Sequence, residues 1–174
     1  KEALEAGKHV LIEKPITNTS QEAKELIKIS EKNKKVLMVD HTFEYSAPVR
    51  KIKEIIDDNE LGQIFTIDMI RVNLGLFQEK VNVISDLAPH DISMLLYYLG
   101  SMPLYARAIG SSYIREGIED DAHINLEFGN KVSANMHVSW LDPCKIRRTT
   151  IVGSKKMLVF DDVIPDEKIK IYDK

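Results

Sequence analysis

The chain has 174 residues, of which 44% are hydrophobic and 29% charged, with a formal net charge of −3 and one cysteine, Cys144. That length holds one good core, or one domain and part of another, in a chain of ordinary soluble composition. The small net charge gives no footing for nucleic acid or a membrane surface, no apolar run nears the ~18 residues of a membrane span, and a lone cysteine excludes an internal disulfide.

In chain order, Lys1–Ala6 reads as the last turns of a helix closed by Gly7. His9-Val10-Leu11-Ile12-Glu13 is a short apolar run, read as a buried strand. Thr19 and Glu22 have capping-box spacing, so a helix should start there, bury Ala23, Leu26, Ile27 and Ser30, and fray near Asn33. Val36–Val39 is a second wholly apolar strand. Strand, helix and strand of this kind predict a crossover in a parallel sheet covered on both faces.

Ser46–Asp58 is expected to form a helix with Val49, Ile52, Ile55 and Ile56 inward. From Gln63 to Leu74 the period becomes two, setting Ile64, Thr66, Asp68, Ile70 and Val72 against Phe65, Ile67, Met69, Arg71 and Asn73. A helix should follow with Asp86 as N-cap, Pro89 in its first turn and Gly100 as its closing glycine. Tyr105–Tyr113 reads as a strand, and Ala122–Phe128, Gly129-Asn130 and Lys131–Trp140 as a hairpin. One face of that hairpin is apolar from Ala122 to Trp140; the other carries His123, Asn125, Asn135 and His137. A further hairpin spans Arg147–Asp161, and Ile169–Tyr172 looks like a strand interrupted at the end of the chain. With Lys1 in place of an initiator methionine, a fragment of a longer protein is expected. The boundary between the two parts should fall near Asp40.

Asp86 and His90 are four apart and so share a helix face. A carboxylate beside an imidazole can fix the ring's tautomer and stabilise the imidazolium formed on proton uptake, which is what a general base needs. On spacing alone, the simpler reading is a helix cap with a histidine one turn later.

Glu13-Lys14-Pro15 at the end of the first strand, with Asp86 and His90 on a later helix, resembles the Gfo/Idh/MocA family of nicotinamide-dependent sugar and polyol dehydrogenases. The resemblance runs through the whole chain, including Val39-Asp40-His41-Thr42-Phe43. It implies an α/β plus α+β fold class. Residues 1–40 would be the tail end of a Rossmann domain, and residues 41–174 an open-faced, mainly antiparallel sheet domain with helices on one face. Arg71–Gly75 and Ser139–Pro143 are most similar to the branch that oxidises C3 of UDP-N-acetylglucosamine derivatives for bacterial surface polysaccharides.

The resemblance also implies roles. Glu13, Lys14, Pro15 and His41 would meet NAD or NADP, with the Lys14–Pro15 bond free to be cis. Lys14 would favour a developing alkoxide, His90 would take the hydroxyl proton, and Asp86 would orient His90. Arg71, Asn73 and Arg147 would contact a sugar or nucleotide-sugar substrate, with Arg148 and Lys145 as further candidates for a diphosphate. Asp91 is expected to favour the helix N-terminus electrostatically rather than to take part in chemistry.

No metal is expected, since His41, His123 and His137 show no ligand spacing along the chain. A cytoplasmic homo-oligomer built through the sheet domain completes the expectation. None of the eight glycines lie two apart, so the Gly-x-Gly-x-x-Gly pyrophosphate loop is missing. The competing reading is a non-catalytic binding or oligomerisation module.

Overall fold

Thr19 and Glu22 do what their spacing requires. The Thr19 hydroxyl accepts from the Glu22 amide at 3.2 Å, and the Glu22 carboxylate accepts from the Thr19 amide at 3.1 Å. In the computed structural model, which describes residues 1–173 and leaves Lys174 outside the description, they start helix α2 (Ser20–Lys32). The short helix α1 (Glu2–Glu5) precedes it, and the Asn33 amide side chain beyond α2 donates to the Leu4 carbonyl at 2.9 Å. Strands β1 (Val10–Glu13) and β2 (Leu37–Asp40) pair in parallel, Val10 opposite Leu37 and Glu13 opposite Asp40.

These elements form the first of two compact units, Lys1–Thr42. Its strands are not buried on both faces as their apolar runs predicted. β1 alternates between half-buried and exposed residues, and Leu11 stands 66% exposed. A two-stranded sheet has cover for only one face, so every second side chain meets solvent. Ile27, expected inward, is 46% exposed, while the neighbouring Ile29 is partly buried.

The second unit, Phe43–Lys174, is built on a seven-stranded sheet of order β4-β5-β6-β3-β7-β8-β9. The strands are β3 (Ile64–Leu74), β4 (Tyr105–Ser111), β5 (Asp121–Glu127), β6 (Ser133–Ser139), β7 (Leu141–Gly153), β8 (Lys156–Asp161) and β9 (Ile169–Asp173). Only β3 and β6 run parallel; every other pairing is antiparallel. Helices α3 (Ala47–Asp57) and α4 (Val83–Leu99) supply Val49, Ile52, Met94, Leu95 and Tyr98 to one core with Ala122, Ala134, Met136 and Val138 of the sheet.

In β3 a strict alternation fails. Ile67, Met69 and Arg71 face the core as one set, but Ile64 and Val72 of the opposite set are buried too. Register shifts between Ile64 and Thr66 and between Val72 and Leu74 reset the phase at each end.

α4 begins earlier than Asp86. Asn82 is its N-cap, accepting from the Ser85 amide at 3.0 Å, so Asp86 lies within the helix. Pro89 is likewise inside the helix rather than in its first turn, which removes the backbone bond that Ser85 would otherwise accept. Gly100 closes the helix in the left-handed conformation (φ 62°), as its position requires.

Candidate active site

Two groups of the expected site residues fall in the two units. In the first unit, Glu13 pairs in register with Asp40, so Lys14-Pro15 and His41 leave the same end of the parallel strand pair. Glu13 and Pro15 are exposed, Lys14 and His41 half-buried, and the Lys14–Pro15 peptide is cis. His41 Nδ1 is buried with no hydrogen-bond partner among the described residues.

In the second unit, the early turns of α4 carry Asp86 and His90. Asp86 Oδ2 accepts a hydrogen bond from the indole Nε1 of Trp140 at 3.2 Å. The His90 ring meets the edge of Phe43, with centroids 5.1 Å apart and planes at 64°. Phe43, in the 3-10 turn Thr42–Tyr45, also carries the Arg71 guanidinium over its face at 4.6 Å and that of Arg147 at 6.0 Å. Arg71 and Arg147 are direct cross-strand neighbours on β3 and β7.

Two like charges in that position repel, and the structure gives each its own acid. Arg71, 3% exposed, donates through Nε (3.0 Å) and Nη2 (2.7 Å) to Oδ1 of Asp91, which is equally buried. Burial pushes the Asp91 carboxyl above its ordinary range, against the pull of the Arg71 charge and hydrogen bonds. Arg147 stays half-open beside Asp162 at 3.6 Å.

This corrects one expectation. Asp91 does not serve the helix N-terminus; it lies more than two turns into α4 and grips the sheet. Arg71, expected at the substrate, has its guanidinium on Asp91 and over the Phe43 ring. Asn73 is half-buried near the end of β3.

Sequence reasoning missed Phe43 and Trp140 as site residues. Trp140 carried a usable signal, since an indole on an apolar strand face needs an acceptor for its N–H. Gly75 is part of the same fit: its amide bonds the Trp140 carbonyl at 3.0 Å, and a Cβ there would come within 2.8 Å of the indole ring.

Residues 49–159 match the family described as the GFO/IDH/MocA C-terminal domain, and residues 1–41 match the oxidoreductase family with an NAD-binding Rossmann fold. The 1,5-anhydro-D-fructose reductase of Ensifer adhaerens is 30% identical, over 78% of this chain and 44% of the relative. The UDP-N-acetylglucosamine 3-dehydrogenase of Acidithiobacillus ferrooxidans is 28% identical, over 79% of this chain and 42% of its own length. A solved structure of that dehydrogenase superposes with a TM-score of 0.84 at 25% identity, covering 99% of this chain and 55% of that one. The chain thus spans about half the length of the curated relatives it matches. With both matches in order along one chain, and a Rossmann tail followed by a mainly antiparallel sheet, the protein belongs to the Gfo/Idh/MocA oxidoreductase family.

Proposed function

We infer that this chain carries residues of an NAD(P)-dependent dehydrogenase site that oxidises a hydroxyl of a sugar or sugar nucleotide. C3 of a UDP-N-acetylglucosamine derivative is the first position to test. The observation that carries the reading is the pair on α4. Asp86 is held by the Trp140 N–H and His90 by the Phe43 edge, so both side chains are positioned before any substrate arrives. His90 takes the hydroxyl proton, and Asp86 orients the ring and stabilises its charged form. Lys14 supplies the cation that favours alkoxide character. Arg147 and Asn73 contact the substrate, while Arg71, locked to Asp91, supports Phe43 from beneath.

The residues of the first unit fit the nicotinamide end of the cofactor. Parallel α/β sheets take ligands at the carboxyl ends of their strands, where Glu13, Lys14, Pro15 and His41 lie. The buried, unpartnered His41 Nδ1 is an atom that a ligand there would satisfy. The glycine-rich pyrophosphate loop is not among these residues. When bound, the nicotinamide supplies the acceptor for the hydride that leaves carbon as the alcohol becomes a carbonyl. The support for a sugar substrate is that two relatives are named for a reductase and a dehydrogenase of sugar compounds. The same reading includes a cytoplasmic homo-oligomer joined through the sheet, where Leu104, Tyr105 and Ile109 are exposed; sedimentation would report its size.

The test uses the intact protein with NAD⁺ or NADP⁺ and a panel containing UDP-N-acetylglucosamine, its uronic acid and free polyols. His90→Ala and Lys14→Ala should each lower kcat by roughly 10²-fold or more, and Asp86→Asn by less than His90→Ala. A His90→Ala enzyme within a few-fold of wild type would overturn the assignment.

A further inference from the structure

The sheet face turned away from α4 holds a second cluster that this reading does not use. On it Asp121 lies opposite Ser139, His123 opposite His137, and Asn125 opposite Asn135. His137 Nε2 is hydrogen-bonded to Asp121 Oδ2 at 2.9 Å, and His123 Nε2 lies 3.9 Å from Asp121 Oδ1. The two imidazoles stack with centroids 4.2 Å apart and planes within 8°. One ligand atom from each of the three residues falls within 4.8 Å of the others. The thirteen residues between the two histidines concealed this in the sequence, and the hairpin closes that gap.

We propose that Asp121, His123 and His137 form a binding site for one divalent transition ion of the zinc class, facing the open side of the sheet. Two imidazole nitrogens and one carboxylate oxygen are the donor set that borderline metals such as Zn²⁺, Co²⁺ and Ni²⁺ accept, and three protein ligands leave a coordination position open.

The surroundings suit a cation. Ile109 stands across from His123 on β4 and Ile70 across from His137 on β3, so aliphatic side chains wall the pair on both sides. The Asp121 carboxylate already sits within hydrogen-bond reach of the His137 ring, which fixes one edge of the ligand set. Parallel rings cannot both aim a lone pair at one point. Ligation requires the His123 ring, whose side chain is 67% exposed, to turn about its Cβ–Cγ bond.

The experiment treats the intact protein with chelator, removes the chelator, and titrates with Zn²⁺ by calorimetry at pH 7.5. Co²⁺ serves as the visible-absorption probe. One equivalent should bind. His123→Ala, His137→Ala and Asp121→Asn should each lose roughly 100-fold or more in affinity, beyond what a merely orienting partner gives. His9→Ala, a histidine outside the cluster, should leave stoichiometry and affinity unchanged. His123 is exposed, so its alanine variant keeps the fold even if the other two do not. Failure to bind Zn²⁺, or binding that survives His123→Ala at full affinity, would overturn the site. Dehydrogenase activity does not enter the readout, so failure here is separate from failure of the His90 assignment.

Discussion

β1 and β2 are more continuously apolar than β5 and β6, yet Leu11 of β1 stands in solvent while Ala122, Ala134 and Val138 of the β5–β6 pair are sealed in the core. The difference lies in what covers each sheet. A run apolar on both sides states a demand for two layers of cover, and a two-stranded pair meets only half of it. An alternating strand asks for one layer, and α3 and α4 provide it. The first unit is consequently held by caps and local hydrogen bonds such as Thr19–Glu22. The second is held by buried area and by a fully enclosed ion pair.

That contrast is most open to attack at the buried charges. Asp91→Ala leaves the Arg71 guanidinium enclosed without its acid and should cost about 3–5 kcal/mol. The sole tryptophan, Trp140, lies in the same unit, so its fluorescence in a denaturant melt reads the loss. The pair Arg71→Met with Asp91→Leu should recover most of it, because an apolar replacement carries no desolvation cost. A single variant within about 1 kcal/mol of wild type, the size of an ordinary surface substitution, would show that the ion pair is not enclosed.

Hydrogen exchange sharpens the comparison next. Amides of β6 (Ser133–Ser139) should be protected at least about 10²-fold more than those of β2 (Leu37–Asp40), since an isolated pair of strands is marginal in water. Equal protection would erase the distinction between the units.

A smaller effect should come from Thr19→Ala, which removes one half of the capping box at a cost of about 1 kcal/mol. Exchange in α2 should quicken while the Trp140 melt stays in place; a shifted Trp140 midpoint would contradict that.

The smallest effect is a pH dependence. Asp121 has a folded pKa below its ordinary 3.8, so its contribution is present above that value and is lost as pH falls through the folded one. Asp121→Asn should therefore make stability fall less steeply below pH 3.8, and superimposable acid curves would refute the assignment.

Features written in spacing were legible in the sequence: the Thr19–Glu22 box, the Gly100 closure and the β5–β6 alternation all follow from local rules. Competition between equals was not. Asn82 and Asp86 are both good caps, and only packing decides that Asn82 starts α4. The β3 phase was lost because a one-residue shift at each end moves Ile64 and Val72 to the buried side. Of the proposed site, the Asp86–His90 pair and the strand-end Lys14 were nameable from motif and order. What surrounds them could not. Phe43 reaches His90, and Arg71 reaches Asp91, only through tertiary contacts, and no periodicity along the chain records such a meeting.

The pairing of β5 with β6 also has a bearing on how this gene can change over generations. His123 opposite His137 and Asn125 opposite Asn135 share one register with the buried pairs Ala122–Val138 and Ile124–Met136. Insertion of a single codon inside either strand would carry polar side chains into the core and core side chains out to water in one step. The same codon added at the turn Gly129–Lys131, where Asn130 and Lys131 already adopt positive φ, leaves both strands in phase. Length variation among descendants of this sequence should therefore collect at residues 129–131 and avoid the strands on either side.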